Sequence, residues 1–100
     1  MKRVLALLCE AIGTRKLLAF TYEGHARVVA PYCHGVTRAG DEVFRAIQLR
    51  GSSRSESFGT GKLWTVSKMR LVRTLAEAFV PDDPDYEPKD SAMDRIHCRI

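Results

Sequence analysis

Apolar residues recur as Val4, Leu5, Leu7, Leu8, Ala11 and Ile12, a spacing of three and four that predicts a helix with one broad apolar stripe. Gly13 supplies the expected stop, because glycine tolerates positive φ at a helix C-terminus. Arg15 and Lys16 follow, near the negative end of the helix dipole. From Leu17 the pattern becomes that of strands. Leu17 to Tyr22 is rich in β-forming side chains, Glu23-Gly24-His25 supplies a turn, and Ala26 to Ala30 returns, with Pro31 marking an edge or a bend. After a second turn at Arg38-Ala39-Gly40-Asp41, the stretch Glu42 to Arg50 alternates. Val43, Arg45, Ile47 and Leu49 share one face, and Phe44, Ala46 and Gln48 the other. Lys62 to Val66 is a fourth strand carrying Trp64, Ser67-Lys68-Met69 a short turn, and Arg70 to Leu75 a fifth strand.

Five short strands joined by turns suggest a small barrel, since closure removes exposed sheet edges, with the helix capping one end through Leu5, Leu8 and Ile12. Residues 51–57, from Gly51 through a run of serines, have almost nothing to bury and read as a mobile loop. Beyond Ala76 the texture changes again. Pro81, Pro84 and Pro88 leave little scope for a regular element, while Met93, Ile96 and Ile100 permit a last short helix, and a strand through Arg95 to Ile100 is the competing assignment. The reading divides the chain into a barrel with its helix, 1–76, and an acidic C-terminal tail, 77–100, that packs on the barrel or on a partner subunit. Phe79, Tyr86, Met93, Ile96 and Ile100 carry that expectation, because a purely solvated tail has no use for five large apolar side chains.

Composition narrows the class. The 100 residues suit one domain, and 45% hydrophobic with 28% charged residues is a globular rather than a disordered mixture. No apolar run approaches the roughly 20 residues of a membrane span, and the stretch after Lys2-Arg3 that imitates a signal peptide stops at Glu10, so no membrane partner is expected. Three cysteines, Cys9, Cys33 and Cys98, leave one unpaired in any disulfide scheme, which favours a reducing cytoplasm. The net charge of +4 is uneven: residues 1–76 carry thirteen Lys and Arg against five Asp and Glu, and residues 77–100 carry three against seven. A basic body with an acidic tail points to an anionic ligand or to an electrostatic contact between the two parts.

The order of elements resembles the WYL domain: a helix, a strand ending in Tyr22, a charged hairpin, Pro31, a glycine-containing turn and a strand after it. Lys62-Leu63-Trp64-Thr65-Val66-Ser67-Lys68-Met69 resembles that family's closing Arg-x-Phe-Arg-Leu-Asp-Arg-Ile segment, with Lys62, Trp64, Val66, Lys68 and Met69 at matching places. The match spans about residues 11–75. The Trp-Tyr-Leu triplet falls near Glu42-Val43-Phe44 and is absent, Ser67 stands for the family's Asp, and lysines replace arginines. The fold expected is mainly β, a small Sm-like five-stranded β-barrel with an N-terminal helix and an extended C-terminal tail. The resemblance implies a ligand-sensing regulatory module, here without the DNA-binding domain such modules usually follow.

The candidate chemistry is binding rather than catalysis. Gly59-Thr60-Gly61-Lys62 lacks the full spacing of a phosphate loop. Cys33-His34 and His97-Cys98 can each offer one metal ligand, since strand neighbours face opposite sides; a four-ligand site would also need Cys9 or His25, and no Cys-x-x-Cys spacing supports it. The serines lack a nucleophile elbow and the histidines an activating neighbour, so no enzyme, metal or cofactor is expected. Arg45, on a face that should be burying side chains, needs a ligand or a carboxylate from Glu10, Glu42 or the tail. Arg27, Arg50, Lys62 and Lys68 could share one barrel surface, with Tyr22, Phe44 and Trp64 as stacking faces, and Arg27, Arg45, Arg50, Lys62, Lys68 and Tyr22 are the expected ligand-binding residues. The function expected is recognition of a nucleotide or single-stranded nucleic acid on that basic face; the alternative is an interaction or oligomerisation module, most simply a homodimer.

Overall fold

A computed structural model describes residues 2–51 and 61–100. The serine-rich segment 52–57 and the start of the Gly59-Thr60-Gly61-Lys62 run lie outside the described residues. The chain forms α1 (Lys2–Thr14), β1 (Lys16–Tyr22), β2 (His25–Val36), β3 (Glu42–Gly51), β4 (Gly61–Thr65), a single 3-10 turn (Val66–Lys68), β5 (Met69–Ala78) and β6 (Arg95–Arg99). Among the described residues no helix is long and apolar enough to cross a membrane.

The helix does not stop at Gly13. It continues to Thr14, whose hydroxyl donates to the Glu10 carbonyl at 2.8 Å, and Arg15 takes the left-handed φ of 59° that ends it. The β1–β2 hairpin closes at Tyr22 opposite His25. Both turn residues, Glu23 and Gly24, have positive φ, which matches the turn twist to that of the strands.

All ladders are antiparallel, in the order β4-β3-β2-β1-β5. The sixth strand, β6, settles the choice left open at the C-terminus in favour of a strand. It pairs with the second half of β2, from Cys33 to Val36, taking the edge that β1 leaves at Val29. Pro31, which has no N–H to give to a ladder, sits at this changeover beside a register shift. Gly35 is required there, because a Cβ would run into the Arg95 carbonyl.

The ladders do not close. Among the described residues none joins β4 to β5, so the sheet is open and six-stranded where a closed five-stranded barrel was expected. The physical reason lies at Tyr22. The Thr65 N–H that would continue a ladder donates instead to the Tyr22 hydroxyl at 3.2 Å, and the 3-10 turn then carries the chain to β5.

Both faces of the sheet are covered. On one, Leu8 and Ala11 of α1 pack with Leu18, Phe20, Tyr22, Val29, Phe44, Ala46, Trp64 and Val66. Phe20 meets Tyr22, Phe44 and Trp64 edge-on with centroids 5.4–6.0 Å apart, and the Trp64 indole N–H donates to the Ala46 carbonyl. On the other face the tail lies across the strands. Phe79, Tyr86 and Ile100 pack against Leu17, Ala30, Tyr32 and Ile47, while Met93 and Ile96 pack against Cys33 and Val43. β3 is therefore buried on both sides at its centre, and its last three residues, Leu49, Arg50 and Gly51, are exposed.

Candidate functional site

The six residues expected to form an anion-binding face do not share a surface. Arg27 is buried on the α1 side, where it donates to the Gln48 side-chain oxygen and to the Tyr22 carbonyl, both at 3.2 Å. Its guanidinium lies over the rings of Tyr22 and Trp64, 5.7 and 5.5 Å from their centroids. The Tyr22 ring is thus a core element and not a free stacking platform. Arg45 points to the opposite face and makes a two-bonded pair with Asp90, 2.8 and 3.0 Å. Arg50 makes a similar pair with Glu77 at the surface, 2.8 Å for each bond. Lys62 lies on β4 opposite Ala46, and Lys68 is exposed in the 3-10 turn. The tail and the end of β5 neutralise Arg45 and Arg50 from within the chain, and Arg27 is held in the core by Gln48 and the Tyr22 carbonyl.

The same contact builds a pocket. Where the tail crosses β3, a cavity of about 250 Å³ opens between Tyr32, Ile47 and Arg45 on the sheet and Asp83, Tyr86 and Asp90 on the tail. Asp85 and Glu87 also line it, so four acidic residues and one arginine border the cavity. That guanidinium is occupied: the hydrogen bonds from Arg45 hold the Asp90 carboxyl below the usual aspartate range, and the same pairing raises Arg45. Tyr32 anchors the tail by accepting a hydrogen bond from the Asp83 N–H at 3.3 Å, and the Tyr86 hydroxyl donates to the Ile100 carbonyl at 3.2 Å. Burial raises both phenols, so they stay neutral, and both residues line the cavity. Sequence reasoning named Tyr86 as a docking side chain and a tail acid as one partner for Arg45, but not Asp83, Tyr86 and Asp90 as the lining of one cavity. The acidic run was visible, but nothing local says which of its members returns to a residue 45 positions earlier.

The residues with metal-ligating side chains are regrouped. Cys33 is buried and apart, its thiol 3.5 Å from the Met93 sulfur and pushed up to about 11 by burial. His25 lies at the far end of β2 from His34. Cys9 of α1 and Cys98 of β6 are joined by a disulfide, which overturns the expectation that the cysteines stay reduced and removes the argument made from them for a cytoplasmic setting. His34 sits against the two sulfurs, 3.5 Å from Cys9 Sγ and 3.9 Å from Cys98 Sγ through Nδ1, and its Nε2 lies 2.9 Å from Glu42. Burial lowers the His34 pKa, with Glu42 opposing the shift. His97 reaches the same carboxylate at 3.2 Å, and its ring lies edge-on to His34 at 4.9 Å. Compared with protein-family models, with curated protein sequences and with solved structures, the chain gives no match.

Proposed function

We propose that this chain is a non-catalytic ligand-binding module of regulatory type, and that its ligand is a compact organic cation held between β3 and the C-terminal tail. One observation carries the reading: a cavity of about 250 Å³ is bordered by four acidic residues and by a single arginine that already has its own carboxylate partner. An anion entering there would meet an excess of acidic residues, Asp83, Asp85 and Glu87, whereas an ammonium would be drawn to them. The ring faces of Tyr32 and Tyr86 add a cation–π contribution of roughly 0.5–2 kcal/mol to such a ligand. Ile47 supplies an apolar wall for an alkyl portion. A sensing role also agrees with the order of elements that resembles the WYL domain. The expectation of a nucleotide is therefore replaced by one of opposite charge. Chemical-shift titration with a panel of primary, quaternary and guanidino amines beside nucleoside monophosphates tests this. Amine-dependent shifts centred on Tyr32 and Tyr86, weakened in Asp83→Asn and Glu87→Gln, are expected. Shifts with the nucleotides and none with the amines would overturn it.

A second reading, an oligomerisation module, rests on β5. Its outer edge has no ladder partner among the described residues, and it carries Leu71, 80% exposed, at a left-handed φ of 54° between exposed Arg70 and partly covered Val72. An unpaired edge is a template for a second chain. A concentration-dependent sedimentation coefficient that Leu71→Asp abolishes would favour this reading.

A further inference from the structure

The cluster at Cys9, His34 and Cys98 lies outside the pocket, and its hydrogen bonding is incomplete as a disulfide. His34 is 1% exposed, so each ring nitrogen needs a partner within the protein. Nε2 has one, the Glu42 carboxylate at 2.9 Å. An ionised carboxylate only accepts, so the proton resides on Nε2 and Nδ1 of the neutral ring carries a lone pair. That lone pair is aimed at two sulfurs which, bonded to each other, have no hydrogen to give. The buried acceptor is thus satisfied in the dithiol form, by a thiol proton or a metal ion, and not in the disulfide form.

We infer that the reduced protein binds one zinc-class divalent cation through the Cys9 and Cys98 thiolates and His34 Nδ1. The three ligand atoms lie within 4.8 Å of one another and come from three elements, α1, β2 and β6. Two sulfurs and an imidazole nitrogen select a borderline-to-soft ion and discriminate against calcium or magnesium, which take oxygen. Glu42 is the orienting group: it fixes the tautomer and the ring plane, as carboxylates behind metal-bound histidines do. Its oxygens are engaged by His34 and by His97 at 3.2 and 3.4 Å, so it stands behind the ligand and not beside it. Three protein ligands leave the fourth tetrahedral position to water or an incoming donor.

The chemistry balances with a reductant of the phosphine class. Disulfide, phosphine and water give two thiols and the phosphine oxide; the cation then displaces one proton from each thiol, forming two metal–sulfur bonds and releasing two protons. In a cell a dithiol would serve, leaving as its own disulfide. The two states exclude each other, since the same sulfurs either bond together or hold the metal. Oxidation would eject the ion, and reduction would open the site to it.

The test is a Co²⁺ titration of the full chain, reduced with a phosphine under anaerobic conditions and followed by absorption and far-ultraviolet circular dichroism. One equivalent should produce thiolate-to-cobalt charge transfer and the intense visible bands of a tetrahedral centre, both bleached by Zn²⁺. The oxidised protein should show neither. Cys9→Ser and His34→Gln should abolish the charge-transfer pattern or change it, and Glu42→Gln, which keeps all three ligands, should weaken binding by roughly 10–100-fold. If reduction alone unfolds the chain, the metal should refold it. Reduced wild type that takes up no cobalt, that stays unfolded with it, or that binds it as tightly in Glu42→Gln as in wild type would overturn the assignment.

Discussion

One sheet is closed on its two faces by different means. The α1 face is filled by large rings in mostly edge-on contact, and the buried Arg27 lies over two of them. The tail face is closed in two separate groups: Phe79, Tyr86 and Ile100 pack on one set of strand residues, Met93 and Ile96 on another, and the Arg45–Asp90 pair lines the cavity beside them. A helix offers a periodic apolar stripe that packs continuously against a sheet. A segment broken by Pro81, Pro84 and Pro88 cannot repeat, so gaps remain, and one of them is the pocket. Close packing closes the first face, and imperfect packing leaves the cavity on the second.

The largest effect is expected from Trp64→Ala. Removing the centre of the aromatic cluster should cost roughly 3–5 kcal/mol and leave a marginal domain unfolded, read by denaturant titration. A loss below 1 kcal/mol would mean the α1 face is no better packed than the tail face. Cys98→Ser should come next. The disulfide links positions 89 residues apart, and losing it should cost roughly 2–5 kcal/mol in metal-free buffer. Hydrogen exchange should then quicken first across the β2–β6 ladder, before β1 and β3 respond.

The ion pairs separate the faces more finely. Arg45→Met leaves Asp90, 7% exposed, without its partner and should cost about 1–3 kcal/mol. The wild-type pair also has a pH signature. Asp90 is held below its ordinary 3.8, so the folded state binds fewer protons than the unfolded one as pH falls under about 4. The stabilisation is complete above that range and is lost as pH drops through the lowered folded value. Acid unfolding of Arg45→Met should begin at a higher pH than that of wild type. The smallest effect is expected at Arg50–Glu77, where both side chains are about half exposed. Their joint replacement by alanine should leave the melting temperature where it was.

Much of the sheet was legible in sequence because each strand announces itself locally, through alternation at β3 and a positive-φ turn at Glu23-Gly24. The assignment of charge was not. Arg45 was marked as needing a partner because a guanidinium on a burying face must have one, and a tail acid was among those named; that it is Asp90 depends on where a proline-broken segment lies, which no local pattern encodes. The cysteines misled for a similar reason. An odd count argues against pairing only when no two of them share a neighbourhood, and Cys9 and Cys98 become neighbours because β6 replaces β1 along β2. The same replacement brings His34 and His97 to one carboxylate, a grouping made of residues from three separate stretches of sequence.

The Cys9–Cys98 link also fixes how the molecule would respond to force. Pulled by residues 1 and 100, the backbone reaches the link after only the segments 1–8 and 99–100 have straightened, an extension of roughly 35 Å at full stretch. Load would then pass from one sulfur to the other and bypass the enclosed 89-residue separation, so the aromatic cluster and the pocket would sit slack inside a covalent loop. Reduction would place them in series with the load and release roughly 300 Å more chain. A tether anchored at both ends would thus be short and stiff when oxidised and long and yielding when reduced.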